Sequence, residues 1–329
     1  MIGIVFSLLS AAAFGANSIV TRRGLIRLSA THGVLVTAIL GIPMFVLAAW
    51  LAGELSQIDR ISAFAFWMLA GAGVIHFLFG RYCTFRAIGA IGANRTMPIQ
   101  ALSGFYSVFV ALIFLGETLS VLTAIGVALL LLGPLMVAEG GRRESRAEQE
   151  AAPQVVDPVL DPLLDPIEPD DSKATVPPTR MLEGYVFGAL SAAAYGTSPI
   201  LISAALTDAG GLAILGGLIS YVVAGIVLVL GTILAGRWGK QVAAIRAERS
   251  SARWFVLASV GVFSAQLFRY LALGVAPVTV VVPLSHTRPV FTVFFSWIFN
   301  RHLENFAPTT MAGIVLSMVG AVVVSLGGG

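Results

Sequence analysis

GIVFSLLSAAAFGANSIVTRRGL, residues 3–25, recurs as GYVFGALSAAAYGTSPILISAAL, residues 184–206. At an offset of 181 the two stretches agree at 11 of 23 positions. The first copy, with AAAFGA near its end, has the look of a cleavable leader. It lacks a basic n-region, however, and Arg22 and Arg23 follow the apolar stretch rather than precede it. A leader would not be copied into mid-chain, so residues 2–20 are expected to be a membrane helix.

A second block repeats at an offset of 185. Ala87 and Gly89 pair with Ala272 and Gly274, Pro98 with Pro283, and VFVALIF (108–114) with VFFSWIF (293–299). Gly126 and Gly133 pair with Gly313 and Gly320 after a two-residue insertion. The chain therefore reads as a duplication.

What is duplicated is apolar. The 329 residues are 57% hydrophobic and 11% charged, with a mean hydropathy of +0.91. A soluble chain carries about 25% charged residues. One cysteine, Cys83, excludes a disulfide framework or a thiolate metal cage. A span needs roughly 20 apolar residues, and ten such runs occur: 2–20, 33–53, 64–86, 96–115, 119–138, 184–204, 211–235, 254–273, 278–299 and 308–327. They lack strand-like alternation, so the fold expected is an all-α integral membrane protein.

Five runs per copy is an odd number, so the second copy begins on the side where the first ended. The expected architecture is ten transmembrane helices as two inverted five-helix repeats, 1–138 and 182–329. Secondary transporters are commonly built this way, with the substrate at the repeat interface near mid-membrane. Residues 139–181 join the halves. Ten of the 17 acidic residues fall there, and DPVLDPLLDPIEPDD repeats Asp-Pro every four residues, so an extended linker is expected.

Basic residues in short loops mark the cytoplasmic side. Fourteen lie on one side (Arg22, Arg23, Arg27, Arg142, Arg143, Arg146, Lys173, Arg180, Arg237, Lys240, Arg246, Arg249, Arg253 and Arg301), and only Arg60 on the other. Both termini are thereby expected outside the cytoplasm.

The twin LSAAAFG and LSAAAYG motifs, RAIGAIGANRTMP and LALGVAPVTVVVP at the turns, PVFTVFFSWIF, and FLGETL resemble the EamA-type branch of the drug/metabolite transporter superfamily. The resemblance covers nearly the whole chain except the linker. It implies ten helices in two inverted repeats, a central cavity, and alternating access for small metabolites. There are departures. Members commonly carry an acidic residue before the proline of the ninth helix, where this chain has Arg288. Gly116-Glu117 of the first repeat becomes Arg301-His302 in the second. Members are usually drawn with cytoplasmic termini, against the charge count.

Five arginines fall in or beside spans. A charge at the bilayer centre costs at least about 2.5–3.5 kcal/mol. Arg86 and Arg95 lie near span ends and can snorkel to headgroups. Arg81 and Arg269 lie deeper, where snorkelling and cavity lining balance. Arg288, midway along the ninth run, is about 15 Å from either end at about 1.5 Å rise per residue, too far to snorkel. It is expected to face a cavity. None of the 17 carboxylates lies within a span; Glu117, Glu183 and Glu304 sit at span ends. Guanidinium suits planar, bidentate binding of carboxylate or phosphate.

The candidate substrate-binding set is Arg288, His286, Arg81, Gln266, Tyr270, Gln100, Ser285 and Asn17. The repeat pairs Arg81 with Gln266, Phe85 with Tyr270, Gln100 with Ser285, and Asn17 with Ser198. The bland alternative for these polar residues is interhelix hydrogen bonding, worth about 0.6 kcal/mol each. His286 and His76 can take protons near neutral pH, although a membrane histidine more often packs. Small multidrug members of the resembled superfamily use a membrane glutamate as proton carrier, and this chain has no equivalent.

No phosphate-binding glycine loop, metal-spaced histidine pair or enzymatic motif is present. No cofactor, metal or nucleic acid is expected. The partners are the lipid bilayer and a small-molecule substrate, and a homodimer is compatible with the sequence. The function expected is secondary transport of a small organic anion or zwitterion. Two alternatives stay open: export of neutral or aromatic amino acids, and a receptor or assembly subunit docking through the linker.

The orientation is directly testable. A C-terminal alkaline phosphatase fusion in a bacterial inner membrane is expected to be active, and a C-terminal green fluorescent protein fusion dark. The reverse result overturns the charge-based assignment.

Overall fold

In the computed structural model, residues 1–24, 27–91, 93–151, 178–299 and 308–327 are described. Helices occupy nearly all of these, and no strand occurs among them. The first half comprises α1 (Ile2–Gly24), α2 (Ala30–Leu51), a 3-10 turn (Glu54–Arg60), α3 (Ala63–Val74), a π-helical turn (Ile75–Phe79), α4 (Gly80–Ile91), α5 (Ala93–Phe114) and α6 (Val121–Ala151). The second comprises α7 (Pro178–Asp208), α8 (Ala213–Leu234), α9 (Trp238–Ala247), α10 (Arg249–Val275), α11 (Val278–Ser285), α12 (Arg288–Phe299) and α13 (Pro308–Gly327). Every apolar run lies on helix. Among the described residues, six helical stretches are long and apolar enough to cross a membrane: Ile2–Thr21, Thr31–Leu51, Ala63–Thr84, Met181–Asp208, Ala213–Leu234 and Arg249–Val275. Ile99–Phe114, Val121–Gly133 and Met311–Val324 are shorter apolar helices. Large apolar side chains face outward along them, Leu51, Trp67, Phe114 and Leu234 among them, as lipid contact requires.

One expectation is corrected. The ninth run is two helices, because Pro289 cannot donate an amide and disfavours helical backbone just before it. The chain turns at His286–Thr287, where the His286 amide still bonds Val282 and Pro283 carbonyls. The third run stays one helical stretch, Ala63–Thr84, with the π turn inside it. Helix extends into both ends of the segment that joins the halves: α6 continues to Ala151 and α7 starts at Pro178. EGGRRESRAEQEA (139–151) is rich in Glu, Arg, Gln and Ala, which favour helix, and the proline-rich segment begins only at Pro153. Residues 152–177, most of the Asp-Pro segment, and the turn holding Arg301 and His302 lie outside the described residues.

Packing runs mainly between the halves. α1 packs on α10, α11 and α12; α7 packs on α3, α4 and α5; α2 packs on α8 and α10; α6 packs on α13. Two glycines from the duplicated motif allow the closest approaches. A Cβ on Gly15 would lie 2.7 Å from Phe291 Cβ of α12, and one on Gly196 would lie 2.8 Å from the Ser103 carbonyl of α5. On the α6–α13 seam, a Cβ on Gly133 would lie 2.7 Å from the Gly313 carbonyl. This is small-residue packing of the kind membrane helices use.

One end of the bundle is fastened by carboxylates. Gly53 and Gly116 both take positive φ, 71° and 65°, and each is followed by a glutamate. Glu54 Oε2 accepts the Leu215 amide of α8 at 2.7 Å. Glu117 accepts the Val278 and Thr279 amides of α11 at 2.7 and 2.8 Å. Helix N-termini carry unpaired donors and partial positive charge, so each carboxylate satisfies both. Asp208, at the end of α7, accepts from Ser62, the N-cap of α3. A cleft at this end is lined by Met1, Gly3, Thr118, Ala276 and Gly327, and so gathers the N-terminus, two interhelical turns and the end of α13.

Two measurements test these fastenings. Glu117→Ala leaves two amides of α11 without their acceptor and is expected to lower Tm by about 2–8 °C. Burial pushes the Glu54 carboxyl above its ordinary range, against the amide bonds that pull it down. A raised folded-state pKa means stability is fullest at acid pH and declines as pH rises through that value. Glu54→Gln is therefore expected to gain Tm relative to wild type as pH goes from about 4 to about 7. A pH-independent difference contradicts that account.

Candidate functional site

The break in the ninth run sets the site. Arg288 is the first residue of α12, directly after the turn, and is an exposed residue. It stacks over Phe14 of α1, 5.3 Å from the ring centroid, a cation–π contact. Tyr195 of α7 lies within its electrostatic reach. Phe14 and Tyr195 are the same position of the duplicated motif, LSAAAFG and LSAAAYG. The motif thus brings one aromatic from each half to the same arginine.

Arg288 also feels Arg81, on α4 just after the π turn. Arg81 and Arg269 of α10 both act on His76 of the π turn, and Arg269 and Arg288 both act on His286. Three guanidiniums from three helices therefore share one neighbourhood with two imidazoles. Tyr195 packs edge-on to His76, centroids 5.1 Å apart. His286 packs over Gly104 of α5, where a Cβ would come within 3.1 Å of its ring. π-helical turns and broken membrane helices mark places where backbone and side chains leave the regular ladder for another partner.

Of the sequence-derived candidates, Arg81, His286 and Arg288 meet here. Gln100 stands one step away: it donates to Thr84 Oγ1 at 2.6 Å and Ser191 Oγ at 3.3 Å, and Thr84 reaches the Tyr195 hydroxyl at 3.4 Å. Ser285 donates to the Val281 carbonyl of its own helix. Gln266 is 3% exposed. Tyr270 is 2% exposed, belongs to an apolar core with Leu69, Ile202 and Val281, and hydrogen-bonds Ser220. Asn17 donates to Thr21 at 3.1 Å, while its Oδ1 has no hydrogen-bond partner among the described residues. The same holds for Ser198 Oγ, at the repeat-equivalent position, and for the buried Tyr221 hydroxyl and His76 Nδ1. Arg269, Tyr195, Phe14 and Tyr221 were not in the sequence-derived set. The duplicated motif signalled Phe14 and Tyr195; Arg269 is a deep arginine that sequence depth alone left balanced.

Ion pairs among the described residues include Arg27–Glu248 at 3.7 Å and Arg86–Glu183. Neither Arg81 nor Arg269 has a carboxylate within ion-pair distance among those residues. No group of three His, Cys, Asp or Glu that could hold a metal occurs among the described residues.

The model of the EamA-like transporter family matches residues 1–138 and 182–326. The chain belongs to the EamA-like transporter family. It is accordingly a membrane transporter of the drug/metabolite transporter superfamily. A solved structure described as "Crystal structure of protein" has a similar fold: TM-score 0.66, 13% identity, covering 98% of this chain and 96% of that one. No curated protein sequence matches the chain.

Proposed function

We propose that this EamA-like protein is a secondary transporter that moves a small organic anion or zwitterion by alternating access. Its ten spanning helices form two inverted five-helix repeats, with both termini outside the cytoplasm. Arg288 is the principal anion contact. Arg81 and His286 complete the site, and Phe14 and Tyr195 frame it.

The observation that carries this reading is the convergence of Arg81, Arg269 and Arg288 where the ninth run breaks. Neither Arg81 nor Arg269 has a carboxylate within ion-pair distance among the described residues. A permanent cation in a membrane interior is costly, and binding an anionic substrate there offsets part of that cost. The packing supports the repeat. α1 on α10 corresponds to α7 on α3 and α4, and α1 on α12 corresponds to α7 on α5, when the halves are exchanged. α2–α8 and α6–α13 map onto themselves. Rocking of one half on the other would exchange the carboxylate-fastened end for an open one.

Counterflow in proteoliposomes tests the reading. Arg288→Gln is expected to raise the half-saturating concentration of a transported anion by about 10–100-fold, the loss of a charge-assisted contact. Transport of every tested anion at the wild-type rate and affinity overturns the assignment.

A further inference from the structure

The end of the bundle opposite the glutamate hooks carries cations. Glu54 grips the start of α8, and α9 follows its far end, about 33 Å away at about 1.5 Å per residue. Gly236, at φ 65°, closes α8. Arg237, Lys240, Arg246, Arg249 and Arg253 follow, all exposed, against one acid, Glu248. α9 has no buried residue and packs on α8 and α10, its neighbours in sequence. Trp238, Val242 and Ile245 share one of its faces at i, i+4 and i+7 and are half-covered, while exposed Lys240 lies on the other face.

The first half joins this corner by direct contact. Gly24 and Gly33 both close on Phe255 of α10, where a Cβ on either would lie 2.7 Å from the ring. Arg23 stacks over Trp254, 4.8 Å from the ring centroid. Arg27 pairs with Glu248 at 3.7 Å, so the one acid is already shared. Arg23 and Arg27 are exposed as well. Cations of both halves therefore meet where α1 ends and α10 begins. The flanks set the depth of the corner. Ile233 and Leu234 before α9, and Val256 and Leu257 two turns into α10, face outward, Leu234 at 86% exposure. In a spanning chain such side chains mark the hydrocarbon edge, so the cations between them sit at headgroup level, where tryptophan also belongs.

We propose that this corner binds the headgroups of acidic phospholipids between the end of α1 and the α9–α10 turn. Guanidinium forks take the phosphate oxygens, and the tryptophan-bearing face of α9 rests at the acyl boundary. The bound lipid draws on both halves of the chain and bridges them. Neither the site at the ninth run nor the anion reading enters this inference.

Thermal shift of the purified full-length protein in neutral detergent tests it, with phosphatidylglycerol against phosphatidylcholine of matched chains. At low salt, half-saturation by phosphatidylglycerol is expected about tenfold or more below that by phosphatidylcholine. The combined changes Lys240→Gln, Arg246→Gln and Arg249→Gln are expected to cut this preference below about threefold. The pair Arg23→Gln and Arg27→Gln does the same from the first half, and so does about 0.5 M salt. Arg60→Gln, at the other end of the bundle, keeps the preference. Where a combined variant does not fold, Lys240→Gln and Arg23→Gln alone are each expected to weaken phosphatidylglycerol about two- to fivefold. Equal half-saturation by the two lipids overturns the inference, and so does a preference that survives both sets of changes. A preference that emerges only after Asp157, Asp161 and Asp165 are changed to Asn also overturns it, and assigns the corner to the acidic segment of the chain.

Discussion

Inside a bilayer no water completes a hydrogen bond, and every polar group must find its partner within the protein. That constraint organises this molecule. It makes every apolar run a helix. It also explains why departures from helix fall where something else takes over. Where α8 and α11 begin, glutamates from the other half receive their first amides. Where the ninth run breaks, arginines and histidines gather instead. Glu54, Glu117 and Asp208 hold interhelical contacts at one end of the bundle, and Arg288 sits at the break itself.

The duplicated first helix links scaffold to site. In each copy of LSAAA(F/Y)G the glycine allows a helix of the other half to approach, and the aromatic before it lies beside Arg288. One motif therefore packs the halves together and frames the charge between them. The two copies carry the same geometry but not the same chemistry. Arg288 corresponds to Ser103, Arg81 to Gln266 and Arg269 to Thr84 at the offset of the second block. A symmetric frame thus holds an asymmetric cluster.

Much of this was legible from sequence. Hydropathy located the apolar helices but not the polar α9 or the end of α6, and the repeat located the motif. The depth of Arg288 singled it out before any coordinates. Three things were not legible, each for a physical reason. The turn at His286–Thr287 follows from Pro289, but Pro283 and Pro199 sit within helices, so proline alone does not say where a membrane helix breaks. The π turn at Ile75–Phe79 leaves no compositional trace. Tyr270 and Gln266 looked like lining residues because they are polar partners in the repeat, yet they are buried. Helix rotation about its axis decides which face is wet, and it depends on neighbours far away in sequence. The role of Gly53-Glu54 and Gly116-Glu117 was hidden for the same reason: their partners lie in the other half.

Those two glutamate hooks carry a consequence for biogenesis. Both belong to the half that leaves the ribosome first, and both grip helices made much later. Until α8 and α11 are inserted, Glu54 and Glu117 stand without their amides, and the Gly15 and Gly196 contacts cannot form. The nascent first half is therefore an open assembly with exposed seams, dependent on whatever shelters it in the membrane during synthesis. The finished transporter consolidates late, when the second half arrives and closes onto hooks already in place.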